Sequence, residues 1–249
     1  MATDNYRGFA SIYDALMYDV DYQGLVDYID GLVPVAGAKV LDLGCGTGSV
    51  MAILESRGAT VRGMDLSRDM TALAAAKCPG SLVVTGDMRL RESYLQLLVE
   101  GGYDLVLSML DCLNYLPEEQ DLLVTFQNAY EALAPGGHLL FDMNTEYKLS
   151  QVLGDNFYYD LGEDECYLWE NEYDPDRGVC RFDLTFFAKE TDGRYSRIDE
   201  VHREYAYNTD RVVELLRQAG FALVTTYGDR QMSAPREREE RVFFLARKQ

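Results

Sequence analysis

Lys39-Val40-Leu41-Asp42-Leu43-Gly44-Cys45-Gly46-Thr47-Gly48 is the stretch whose reading decides the fold. Val40, Leu41 and Leu43 form the short apolar run that a buried parallel strand requires. The run breaks into Gly44-x-Gly46-x-Gly48, and the helical pattern Ser49-Val50-Met51-Ala52-Ile53-Leu54-Glu55 follows at once. A strand that turns through glycines into a helix leaves a crevice in which backbone N–H groups can come close to a ligand. A nucleotide-like ligand is the expectation.

The same rhythm continues outward. Strands are expected at 39–43, 60–64, 81–84, 103–109 and 137–143, and helices at 48–57, 68–77, 91–100 and 119–133. Ala134-Pro135-Gly136-Gly137 stops the last of these helices. Alternation of this kind predicts an α/β fold, a Rossmann-like doubly wound and mostly parallel sheet. Before it, residues 8–31 read as helical, with Phe9, Ile12, Tyr13, Leu16 and Met17 on one face; Asp21 opens a second helix that Pro34 ends. Residues 155–207 break the rhythm. Phe157, Tyr159 and Leu161 alternate, as do Tyr167, Trp169, Asn171 and Tyr173, with turns at Asp174-Pro175-Asp176-Arg177-Gly178 and Thr191-Asp192-Gly193-Arg194. This predicts an antiparallel β insertion before the last helix, Thr209 to Ala219, which is followed by strands at 221–227 and 242–246. The chain thus divides into N-terminal helices and an α/β core (1–150), the insertion (151–207) and the end of the core (208–249).

Composition narrows the function classes. The 249 residues carry a formal net charge of −19, a field that repels phosphate backbones and anionic lipid. No nucleic-acid or membrane partner is expected. Arg236, Arg238 and Arg241 cluster, but Glu237, Glu239 and Glu240 interleave with them, so this run reads as a solvated turn. Five cysteines, with no C-x-x-C, and only two histidines point to neither a disulfide framework nor a metal site. The N-terminus shows no apolar secretory segment, and a cytoplasmic protein is expected.

Several cofactors suit the glycine turn. The spacing departs from the dinucleotide fingerprint G-x-G-x-x-G, because Ser49 stands where the third glycine would fall, and no P-loop motif is present. Two strand ends add information. Asp65, in Gly63-Met64-Asp65-Leu66-Ser67, can accept two hydrogen bonds from a ribose diol; it could equally cap the next helix, although Ser67 is the better cap. Asp87, in Gly86-Asp87-Met88-Arg89, can accept from an adenine amine while Met88 packs on the ring; alone it would read as a turn residue.

Together these segments resemble the first three motifs of class I S-adenosylmethionine-dependent methyltransferases. Tyr103-Asp104-Leu105-Val106-Leu107 resembles their fourth strand, and Leu133-Ala134-Pro135-Gly136-Gly137 the turn before their fifth. The resemblance is strong over residues 36–145. Tyr6, Tyr13-Asp14, Tyr22, the stretch Leu110 to Leu116 and the late insertion resemble the small-molecule members, including sugar amine N-methyltransferases. What the resemblance implies is S-adenosylmethionine as cofactor. Gly44, Cys45 and Gly46 would lie near its amino acid portion, Asp65 on the ribose with Leu66 against adenine, and Asp87 and Met88 at the adenine. Leu110 and Asp111 would lie near the sulfonium, and Tyr6 and Tyr13 would form the cover. The insertion would form the acceptor side.

Methyl transfer needs a base only when the acceptor arrives protonated. His202, in Glu200-Val201-His202-Arg203-Glu204, is one candidate and shares a strand face with Glu204; it could equally be a surface residue. Asp111 is the second candidate, with a turn or cap role as its alternative. Trp169 with Glu170 is a candidate site for a cationic amine. The expected activity is methylation of an N or O atom of a small-molecule acceptor. A cofactor-binding protein without chemistry and an NAD-dependent oxidoreductase are the alternatives. An RNA or protein methyltransferase is disfavoured by charge and by Leu110-Asp111-Cys112-Leu113 where an Asn/Asp-Pro-Pro-Tyr-type motif would stand. The identity of the acceptor and the oligomeric state stay open.

Overall fold

The structure is a computed structural model that describes residues 13–14, 17–163 and 165–249. A seven-stranded sheet forms its centre: β1 (Lys39–Leu43), β2 (Thr60–Asp65), β3 (Leu82–Thr85), β4 (Tyr103–Ser108), β5 (Leu133–Asn144), β10 (Leu223–Gly228) and β11 (Arg241–Arg247). Their order is β10-β11-β5-β4-β1-β2-β3. The strands β3, β2, β1, β4 and β5 pair in parallel, whereas β11 runs antiparallel to both β5 and β10. The order reverses between β1 and β4. A crevice therefore opens beyond the carboxyl ends of those two strands, and the glycine turn lies there.

The apolar runs behave as read. Val40, Leu41 and Leu43 of β1 and Leu105, Val106 and Leu107 of β4 are fully buried, covered on the two sheet faces by helices. The helices are α1 (Tyr22–Leu32), α2 (Ser49–Ser56), α3 (Arg68–Lys77), α4 (Glu119–Ala132) and α5 (Thr209–Gln218). Asp21 caps α1 by accepting from the Gly24 N–H at 2.8 Å, and Ser67 caps α3 by accepting from Met70. Among the described residues no helix is long and apolar enough to cross a membrane.

One expected helix differs. Residues 91–100 form only a 3₁₀ segment, Arg91–Leu97. Its buried residues, Tyr94 and Leu97, are three apart and coincide on one face at three residues per turn, while Leu95 and Leu98 are exposed. Most of the helix expected before Asp21 lies outside the described residues.

The insertion is a second, four-stranded antiparallel sheet between β5 and α5, ordered β6 (Phe157–Leu161), β7 (Glu165–Asp174), β8 (Val179–Lys189) and β9 (Tyr195–Tyr205). Asn114, completely buried, joins it to the core. Its side-chain amide donates to the carbonyls of Asn144 and Tyr205 at 3.0 Å each and accepts from the Asn144 N–H at 2.9 Å. The alternation of β6 is turned outward: Phe157, Tyr159 and Leu161 are all exposed. The inner face comes from Trp169, Phe182 and His202: Phe182 and His202 are directly paired across β8 and β9, and Trp169 of β7 lies diagonally from Phe182, with ring centroids 5.8 Å apart.

Candidate active site

The glycine turn is shaped by close approaches. Gly44 has φ of 75°, and a Cβ there would meet Cys112 Sγ at 2.1 Å. Gly46 has φ of 54° and open space on the side where a Cβ would project. Cys45 turns its thiol inward toward Gly63 on β2, where a Cβ would come within 2.9 Å of its sulfur. Burial pushes that thiol's pKa up, so Cys45 packs and does not act as a nucleophile.

Around this turn lies a cavity of about 730 Å³, within the roughly 300–1,000 Å³ usual for small-molecule sites. It brings together Tyr13, Gly44, Cys45, Gly46, Asp65, Leu66, Asp87, Met88, Leu110, Asp111 and His202. Of the expected site residues only Tyr6 lies outside the described residues. Asp14 accepts from Thr47 at 2.5 Å and from Lys77 at 2.7 Å, tying the N-terminal segment to the glycine turn. Tyr13 packs there with Met70 of α3 and Phe186 of β8, touching both the core and the insertion.

The acids at the strand ends are more engaged than the sequence suggested. Ser67 caps α3, but this does not leave Asp65 free: its two oxygens accept from the Gly46 N–H at 2.9 Å and the Ser67 N–H at 2.8 Å. Each carboxylate oxygen retains a second lone pair for a diol. Burial raises the Asp65 pKa, and these backbone donors oppose the rise. Asp87 is held by its neighbour Arg89, whose backbone N–H, Nε and Nη2 approach it at 2.7–3.1 Å. Burial alone would raise its pKa; the Arg89 hydrogen bonds and charge outweigh that and keep it below the ordinary carboxylate value. An adenine amine would therefore meet a carboxylate already bound by a guanidinium. Asp42, buried beneath the turn, carries an oxygen with no hydrogen bond from the described residues, and burial pushes its pKa up to about 7.

Beyond β4 the backbone is strained. Leu110 and Asp111 both have positive φ, 61° and 56°, at a cost of about 1–3 kcal/mol each. Asp142 on β5 holds this turn by accepting from the Leu110 N–H at 2.7 Å and the Asp111 N–H at 3.1 Å. Arg241 at the start of β11 binds Asp142 and also Asp111, the latter at 2.5 Å. Arg241 therefore corrects the reading of a solvated arginine turn: Arg236 and Arg238 are exposed, but the Arg241 guanidinium is largely buried. Burial works against its charge, and the two carboxylates outweigh this and hold it protonated. The same pairing changes the reading of Asp111, whose carboxylate is half of an ion pair and not a free base. Asp142 was missed; the signal for it was a charged residue inside the apolar run Leu139-Leu140-Phe141-Asp142-Met143.

At the far end of the cavity His202 is 2% exposed, and its Nδ1 lies 3.2 Å from the Tyr115 hydroxyl. Burial pushes its pKa down to about 4, so the imidazole is neutral at physiological pH. Glu204 faces the same cavity, as the strand alternation required. Glu170 does not: it is exposed on the outer face, because neighbouring strand residues point oppositely and Trp169 points in.

A glycine turn and acidic strand ends on one cavity, with a sheet closed by an antiparallel seventh strand, define a Rossmann-like methyltransferase. Comparison with known proteins agrees. A family model described as "Methyltransferase domain" matches residues 40–137. The chain is 34% identical to "Putative methyltransferase YqeM" of Bacillus subtilis over 98% of its own length and 97% of that protein's. It superposes on an S-adenosylmethionine-dependent methyltransferase of Clostridium acetobutylicum with a TM-score of 0.84 and 29% identity, covering 98% of each chain. CalS10, an amino pentose methyltransferase of Micromonospora echinaspora, shares the fold with a TM-score of 0.73 and 20% identity, over 96% of this chain and 97% of its own. The chain belongs to the class I S-adenosylmethionine-dependent methyltransferases; it is an enzyme, and S-adenosylmethionine is its cofactor.

The residues present fit that cofactor. Gly46 leaves open space beside the turn, and Asp65, whose hydrogen bonds come from backbone N–H groups alone, keeps a lone pair on each oxygen for a diol.

Proposed function

We propose that the enzyme methylates an N or O atom of a small molecule held between the glycine turn and the inner face of the insertion. The observation that carries this reading is the continuity of one cavity from Gly44, Asp65 and Asp87 to Trp169, Phe182, His202 and Glu204. CalS10, with the same architecture, is compatible with it.

When bound, S-adenosylmethionine supplies an electrophilic methyl group. Gly44 to Gly46, Asp65 and Met88 would hold it. Catalysis by this chain is then positioning in a pocket that excludes water. Trp169, Phe182 and Leu184 form the apolar wall that keeps the acceptor dry. His202, neutral through the physiological range, is suited to hold the acceptor by a hydrogen bond at the polar end. A cytoplasmic setting, with reduced cysteines, belongs to the same reading.

The test is a labelled-methyl screen of a metabolite panel, run beside thermal shifts with S-adenosylhomocysteine, the demethylated product. A small molecule should acquire label, and Asp65→Ala should lose both the label and the shift. Label entering only protein or RNA would overturn the reading.

A further inference from the structure

Glu204 is the acid that the cofactor half does not explain. It is 4% exposed, on a strand where Cys180 is its cross-strand neighbour, and it borders the apolar cluster of Leu149, Cys180 and Phe182. One oxygen, Oε2, accepts from Asn144 Nδ2 at 2.7 Å. Asn144 is itself fixed, because its Oδ1 accepts from Lys148 Nζ at 3.0 Å and its N–H donates to Asn114. The other oxygen of Glu204 takes no hydrogen bond from the described residues, and no cation among them pairs with the carboxylate. The positive charges of Lys148 and Arg241 are felt at Glu204, but Lys148 is bonded to Asn144 and Arg241 is taken by Asp111 and Asp142.

A buried carboxylate without a partner takes up a proton, and it stays ionised only where a cation joins it. We propose that the cation is the acceptor: the substrate is a primary or secondary amine that enters as its ammonium form, and Glu204 binds it through Oε1. Glu204 then takes the proton that the ammonium must lose. The N–H bond breaks, an O–H bond forms on Oε1, and the electron pair stays on nitrogen, which becomes the nucleophile. Asn144 keeps the carboxylate pointed while this happens. Trp169 lines the same cavity, and an indole ring attracts a cation. Burial also raises the Glu204 pKa well above the ordinary carboxylate value, which makes it a stronger proton acceptor. The inference rests on the small-molecule reading above and adds the class of acceptor.

Trp169 is the single tryptophan of the chain and lines the cavity, so its fluorescence reports occupancy of the acceptor end. The experiment titrates benzylamine and benzyl alcohol into protein saturated with S-adenosylhomocysteine. In the wild type benzylamine should bind about tenfold or more tightly than the alcohol, as a charge-assisted hydrogen bond requires. Glu204→Gln keeps the Asn144 contact and should bring the two affinities together, with the S-adenosylhomocysteine thermal shift intact as proof of folding. Equal binding of the two probes in the wild type, no binding of benzylamine, or an amine preference that survives in Glu204→Gln would overturn the proposal. If hydroxyl acceptors take label while the amine preference is absent, the small-molecule reading stands and the ammonium proposal alone falls.

Discussion

Gly44→Ala tests whether the glycine turn is held by sterics. Two costs can be worked from the structure. At φ of 75° a side chain is forced into the left-handed region, about 1–2 kcal/mol for an L-residue. The new Cβ would also lie 2.1 Å from Cys112 Sγ and 3.2 Å from Cys112 Cβ, where carbon contacts prefer about 3.5–4.0 Å. Relieving that overlap means moving the segment that carries Leu110 and Asp111, an overpacking cost of about 1–3 kcal/mol. The sum is about 2–5 kcal/mol, a fall in Tm of roughly 4–20 °C for a chain of this size. Urea unfolding without cofactor measures it. The two costs separate in a double-mutant cycle with Cys112→Ala, which removes the sulfur but leaves the backbone cost. The coupling should be at least about 1 kcal/mol in favour of the double variant. Affinity for S-adenosylhomocysteine should fall in Gly44→Ala and recover in part in the double variant. A loss below about 0.5 kcal/mol, with additive effects of the two substitutions, would refute the steric argument.

Two further outcomes follow from buried charge. Arg241→Met strands the Asp142 carboxylate, which is 1% exposed, and should cost about 3–5 kcal/mol in urea unfolding; Asp142→Asn in the same chain should restore part of it. A loss under about 1 kcal/mol would mean that the ion pair is not what holds the strained turn at Leu110 and Asp111. His202 has an ordinary value of 6.5 and a folded pKa near 4, so between those values the unfolded chain binds more protons than the native one. Its contribution therefore destabilises the fold as pH falls below 6.5, by about 2 kcal/mol at pH 5 relative to pH 7.5. In His202→Asn that component is absent, so the stability gap between wild type and variant should shift by that amount over this range. A gap that is constant from pH 7.5 to pH 5 would show that the imidazole is not held neutral by burial.

The fold was legible because its signals are local. Val40 to Leu43 followed by three glycines reads as a strand running into a sharp turn, and Ala134-Pro135-Gly136-Gly137 ends a helix for reasons contained in those four residues, although they already belong to β5, which starts at Leu133 and not at 137. Residues 91–100 were misread for the same reason. Their apolar spacing admits three or 3.6 residues per turn, and packing of Tyr94 and Leu97 chose the tighter one. The alternation of Phe157, Tyr159 and Leu161 correctly marked a strand, but a two-residue period cannot say which face turns inward.

The site divides along the same line. Residues that backbone shape or strand position places on the cavity, such as Gly44, Gly46 and Asp65, are readable because the turn itself dictates them. Residues that act through partners far along the chain are not: Arg241 looked solvated beside Glu239 and Glu240, and only the pairing of β11 with β5 brings it to Asp142. Trp169 and Glu170 show the limit most sharply. Side by side in sequence they suggested one cation site, yet the pleat sends them to opposite faces, and the acid that joins Trp169 on the cavity is Glu204, from a strand two places over in the sheet. An enzyme that places its buried acid on a different strand from its aromatic wall can alter acceptor charge and acceptor shape by separate substitutions, while the glycine turn and its cofactor stay unchanged.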